Sequence, residues 1–184
     1  MKQAIALAIG CCLASTLLAD AEHQVYFSAE YISSSLDIDA AGNKTDSSPQ
    51  AFGLRVGQQY SQYFAIEALA ASAISDDEAS GFSDEFEMED LFQFSIIGLY
   101  PHLDYVTPYL QLGVAYVSYE DNRGDNGDGT NFTYAIGAKI PLNKRWGAKL
   151  ECLTLPKARY DGEFDVNVEG ETINIGFYYQ FSLD

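Results

Sequence analysis

The chain has 184 residues and a mass of 20.2 kDa, the size of one ordinary domain. Ten Lys and Arg stand against 27 Asp and Glu, a formal charge of −17, and a chain so acidic repels the phosphates of DNA or RNA, which excludes nucleic acid as a partner. Hydrophobic residues at 47% and aromatics at 14% exclude a disordered acidic tail.

The N-terminus reads as a targeting segment. Lys2 gives a positive start, residues 4–19 are almost all apolar or small, and Ala19-Asp20-Ala21 fits a small-residue cleavage site. The expected division is therefore a signal peptide over 1–21 and one domain over 22–184. A spanning anchor needs about 20 apolar residues, more than this run supplies. A lipoprotein cleavage before Cys11 fits poorly, because the apolar run continues past it. Cleavage after Ala21 removes Lys2 and Asp20 together, so the net charge is unchanged. It also removes Cys11 and Cys12 and leaves Cys152 without an intramolecular partner. On the lipid-facing phase assigned below, that thiol acts as a small apolar group.

Beyond the leader, apolar and polar residues alternate with period two, again and again. The pattern predicts strands over 23–33, 50–60, 63–74, 90–100, 105–119, 131–141, 145–155 and 171–183. Short links at 61–62, 101–104 and 142–144 alternate with long ones at 34–49, 75–89, 120–130 and 156–170. No stripe of helical period is sustained. Each predicted strand divides into two phases. One is large, apolar and uncharged, as in Phe27, Leu54, Ile66, Phe94, Leu112, Ile136, Leu150 and Phe177. The other is polar or small, as in Ser28, Gly53, Gln93, Gln111, Thr133 and Asn174, and it contains every strand charge: Glu30, Arg55, Glu67, Lys139, Lys149 and Glu151.

Alternation alone does not say which phase points inward. A soluble lipocalin-like barrel would put the apolar phase inside. Three features favour the inverse. The polar phase is rich in Gly, Ala and Ser, which suits the narrow interior of eight strands. Its charges balance, three of each sign, as a sealed interior requires, although the whole chain is far from balanced. Aromatics gather near strand ends (Tyr31, Tyr60, Tyr63, Tyr100, Tyr105, Tyr119, Trp146 and Tyr160), as at membrane interfaces. The expected fold is all-β: an eight-stranded antiparallel up-and-down transmembrane β-barrel.

The runs Phe52-Gly53-Leu54-Arg55-Val56-Gly57, Tyr63-Phe64-Ala65-Ile66-Glu67, Tyr109–Tyr116 and Ile173–Phe181 resemble the small outer-membrane β-barrel proteins of Gram-negative bacteria. That group includes the transmembrane domain of outer-membrane protein A and the barrels related to outer-membrane protein X. The resemblance spans about 22–184. It implies location in the outer membrane, contact with outer-membrane lipid and lipopolysaccharide, and insertion by the barrel-assembly machinery. That machinery reads a last strand ending in an aromatic residue. Here the alternation runs on through Leu183, but the chain ends in Asp184. The resemblance also implies short turns and chain ends in the periplasm, with the four long, acid-rich connections outside.

Four groups of residues bear on function. The six strand charges (Glu30, Arg55, Glu67, Lys139, Lys149 and Glu151) are expected to form an ionic plug, since eight strands leave too little lumen for a porin channel. The second long connection carries Asp76, Asp77, Glu78, Asp84, Glu85 and Glu87 without a base. It reads as a solvated acidic loop, with divalent cations or cation bridges to lipopolysaccharide as the sharper reading. The third connection places Asp121, Asp125 and Asp128 at calcium-loop-like spacing. It lacks the closing Glu of an EF-hand, and its Gly, Asn and Asp equally make turns. Its Arg123-Gly124-Asp125 tripeptide is too short to carry meaning. His23 and His102, the only histidines, fall at the end opposite the long loops, where neither reaches an external nucleophile or carboxylate. No enzymatic activity and no cofactor are expected. The function expected is a structural or surface-interaction barrel. The alternatives are a narrow channel for small or apolar molecules, like the outer-membrane protein W group, and the soluble ligand-binding barrel.

Overall fold

The computed structural model describes residues 24–40, 43–75, 77–78, 85–103, 105–121, 126–161 and 165–182. Its elements are β1 (Gln24–Ala40), β2 (Asn43–Ser47), β3 (Gln50–Ser61), β4 (Phe64–Ser75), β5 (Asp77–Glu78), β6 (Glu85–Leu99), β7 (Thr107–Asp121), β8 (Asn126–Pro141), β9 (Trp146–Thr154), β10 (Ala158–Asp161) and β11 (Asp165–Ser182). Eight of them make the wall, in the order β1-β3-β4-β6-β7-β8-β9-β11, and β11 pairs back onto β1. Every neighbour is antiparallel, so the sheet is a closed eight-stranded up-and-down barrel without a free edge.

Four wall strands outrun their expected bounds by five residues or more. β1 continues to Ala40, β6 begins at Glu85, β8 at Asn126 and β11 at Asp165. Much of what reads as long loop is hairpin arm, with β2, β5 and β10 as short returns paired to it. Ladder hydrogen bonds are made by backbone, so acidic and Gly-rich sequence extends a pairing that neighbouring residues have already registered. The opposite rim has the tight links. In the β8–β9 turn, Asn143 Oδ1 accepts from the backbone N–H of Arg145 and of Trp146, both at 2.9 Å, an Asx-type closure.

The apolar phase points outward. Leu54, Leu110, Leu112, Tyr134, Ile136 and Phe177 are each more than three-fifths exposed, and they form a continuous belt that water would penalise heavily. The soluble-barrel alternative, which needs this phase inside, fails on that observation. The polar phase points inward, but it is not polar throughout. Toward the long-hairpin rim the same phase turns aliphatic, and Ile32, Leu36, Leu69, Leu91, Val117 and Leu155 pack as one buried cluster. Toward the short-turn rim Ala65, Ile97, Leu99 and Tyr109 form a second. The charged residues lie between them.

One stretch of wall is irregular. The β8–β9 ladder runs from Pro141–Gly147 to Ala135–Leu153 and stops. Pairing along that side of β8 resumes only at Asp128–Arg159, on β10. At the break the Thr154 hydroxyl substitutes for a backbone partner. It donates to the Tyr134 carbonyl at 3.0 Å and accepts from the Tyr134 N–H at 3.1 Å.

Candidate functional site

Arg55, on β3, is fully buried at mid-barrel. Its Nη1 donates to Glu67 Oε2 at 2.7 Å, and its Nη2 donates to Glu151 Oε1 at 2.7 Å and to Glu30 Oε2 at 2.9 Å. Its Nε lies 2.8 Å from Glu30 Oε1. One guanidinium thus spans carboxylates from β1, β4 and β9, using the fork that makes Arg suited to several acceptors at once. Lys149 completes the cluster, with its Nζ 3.0 Å from Glu67, 3.2 Å from Glu151 and 3.6 Å from Glu30. Lys139 Nζ lies 3.2 Å from Glu67 Oε1 and 3.7 Å from the centre of the Tyr26 ring, a cation–π contact. The structure brings all six interior charges into one neutral group.

Neutral partners complete the carboxylates' hydrogen bonding. Tyr26 donates to Glu67, Tyr109 donates to Glu151 at 2.8 Å, Ser28 to Glu30 at 2.7 Å and Asn174 to Glu151 at 3.0 Å. Gln111 continues the network outward, bonding Gln93, which in turn bonds Thr133. These bonds matter because an ion in a dry interior costs several kcal/mol unless it is partnered. Arg55 Nε and Lys139 Nζ, which make no hydrogen bond, are held by carboxylate charge and, for Lys139, by the Tyr26 ring. Sequence reasoning assigned Tyr26 no such role. The available signal was its position in the inward phase, opposite a glycine on the next strand.

The acidic loop residues divide. Asp76, Asp84 and Asp125 lie outside the described residues. Asp77 and Glu78 form β5, with Asp77 opposite Phe86 and Glu78 opposite Glu85. Glu87 stands opposite Glu120, and Asp121 opposite Phe86. Asp128, on β8, stands opposite Ser118 and Arg159 and is exposed. Among the described residues no group of three His, Cys, Asp or Glu is placed to hold a metal ion. His102 sits exposed at the short-turn rim against Tyr100 and Tyr63, with ring centres 4.9 and 6.1 Å away. His23 lies outside the described residues. Trp146, Tyr179 and Phe181 stack edge to face along the same rim, an aromatic girdle of the kind found where lipid meets water.

The family profile of the outer membrane protein beta-barrel domain matches residues 4–181. Solved structures share the fold. Ail, the attachment invasion locus protein of Yersinia pestis, in complex with the heparin analogue sucrose octasulfate, is 18% identical. The match covers 88% of this chain and 100% of that one, with a TM-score of 0.60. OprG of Pseudomonas aeruginosa is 20% identical over 88% of this chain and 97% of that one, at 0.54. Neisserial surface protein A is 11% identical over 85% and 97%, at 0.58. No curated protein matches the chain. A closed barrel with an apolar outer belt and a neutralised interior, matched by that profile along nearly its whole length, belongs to the outer membrane protein beta-barrel domain family and resides in the outer membrane.

Proposed function

We propose that this protein is a non-enzymatic, non-conducting surface barrel: a lipid-anchored scaffold that presents acidic hairpins outside the cell. The observation that carries this reading is the ionic group around Arg55, in which every interior charge has an opposite partner within 3.6 Å. Such a cluster sets paired charges across the middle of a narrow barrel, and among the described residues it leaves no interior charge unpaired to draw ions through. Residues 1–21 serve as the cleaved export signal, and the barrel-assembly machinery inserts the chain. The acidic hairpins meet lipopolysaccharide phosphates through divalent cations, because carboxylates and phosphates repel unless a hard cation bridges them. Ail was solved with a polysulfated sugar. The acidic hairpins here carry the wrong sign for such a ligand, so retention on heparin resin at physiological salt is not expected.

Planar-bilayer recording tests the reading. The purified protein is expected to give no stable current steps, while Arg55→Ala combined with Lys149→Ala opens small cation-leaky events. Steady ohmic conductance by the unaltered protein would overturn it. The narrow-channel reading draws on one observation, the aliphatic half of the interior around Ile32, Leu69 and Leu91. It would gain only if apolar solutes crossed while ions did not.

A further inference from the structure

A groove of about 580 Å³ indents the outer surface beside the break in the β8–β9 ladder. Leu110 and Leu112 of β7, Tyr134 and Ile136 of β8 and Cys152 of β9 line it, and Thr154 and Glu171 close one end. Its exposed apolar side chains are the outward phase of three adjacent strands, each of the first four more than three-fifths exposed, and the buried, inward-phase Gln111, Ala135 and Leu153 line it from between them. The groove is therefore continuous with the bilayer-facing belt, and hydrocarbon is the medium that fills it. Its polar end has a different character. Glu171 stands in register with Thr154 on the outward phase, so a carboxylate meets the head of whatever lies along the apolar floor.

We propose that this groove is a binding site for a single alkyl chain bearing a cationic or uncharged head group. The floor takes the chain by burial of apolar area. The interrupted ladder supplies the recess, because the Thr154 hydroxyl replaces a backbone partner and β9 ends there. Glu171 selects the head: it attracts an ammonium, tolerates a hydroxyl and repels a carboxylate. The site meets the interior network at one residue, Gln111, which accepts from Arg55 at 3.3 Å, but the proposal does not depend on whether the barrel conducts.

The test uses protein purified from outer membranes and placed in lipid nanodiscs. The probe is a dodecylamine carrying a terminal diazirine, at about one probe per hundred lipids. After illumination, adducts are mapped by mass spectrometry. They are expected to concentrate on residues 110–112, 134–136 and 152, to saturate, and to be competed by unlabelled dodecylamine and dodecanol at least tenfold better than by dodecanoate. Ile136→Trp or Leu112→Trp, each filling the groove from a lipid-exposed position, should cut these adducts at least fivefold while the barrel keeps its heat-dependent gel shift. Glu171→Gln should bring the amine and carboxylate competitors within about twofold of each other. Adducts spread evenly around the belt, Phe27 and Phe177 included, and indifferent to competitor would overturn the proposal. So would groove adducts unchanged in both Trp variants.

Discussion

The Tyr26 ring occupies the space a side chain at Gly57 would need. The two residues are direct cross-strand partners, and a Cβ on Gly57 would stand 2.2 Å from the ring. Tyr109 over Gly137 and Tyr178 over Gly147 repeat the arrangement, again as register partners, at 2.2 and 2.1 Å. Each glycine lets a tyrosine lie across the neighbouring strand inside the barrel, an aromatic cover for a weak strand position. Two of the three hydroxyls then reach the carboxylates of the charge group.

This pairing predicts strong non-additivity. Gly57→Ala should cost about 1–3 kcal/mol through overpacking against the ring. Tyr26→Ala should cost more, since it uncovers the glycine and removes a donor from Glu67. In the double variant the added methyl finds room, so its cost should fall well below the sum of the singles. Urea unfolding in lipid vesicles measures all three, and strictly additive midpoints would sink the argument.

Arg55→Ala removes the guanidinium that bridges all three interior carboxylates and leaves Lys149 alone to face them. The expected loss is about 3–5 kcal/mol, because buried charges are left without a partner. Asp77→Ala, at a hairpin arm, should change stability by less than about 0.5 kcal/mol. Equal urea midpoints for the two variants would refute the interior role of Arg55.

Leu54→Arg puts a cation on the mid-belt outer surface, where lipid penalises it by about 2–4 kcal/mol. Gln50→Arg, exposed on the same strand but near the long-hairpin rim, should cost about 0–1 kcal/mol. If the belt faced water, neither change would matter, and equal effects would contradict the assigned orientation.

A folded barrel resists detergent until heated. The protein should pellet with outer membranes and migrate differently on SDS gels before and after boiling. Recovery in the soluble periplasmic fraction, with no heat shift, would be incompatible with the outward apolar belt.

The division into two faces was legible because a strand's period of two leaves no freedom once one face meets lipid. That Arg55 and Glu67 share one face followed from phase alone; that this face points inward followed from its small residues and balanced charges. Their pairing with Glu151 did not, since β9 lies far along the chain and reaches them only across the closed barrel. Ile32, Leu69, Leu91 and Ile97 were not singled out as interior for a different reason. Each adjoins an outward apolar neighbour (Tyr31, Ala68, Phe92 and Ile96), so the alternation vanishes locally and the two phases look alike. The hairpin arms read as loops because acidic residues are poor strand formers, and propensity gave way to a ladder already begun below them.

The pairing of β1 with β11 runs from Gln24–Ser182 to Ala40–Val166, the longest ladder in the wall. Its partners stand well over a hundred positions apart along the chain, so it is the most non-local contact the fold makes and the slowest to find. Until the final strand arrives, β1 presents a bare edge of amides that lipid cannot satisfy. Completion of this barrel is therefore a property of the finished polypeptide rather than of any part of it. A chain without residues 171–182 leaves most of β1 and all of β9 bare along one side and has no closed barrel to become.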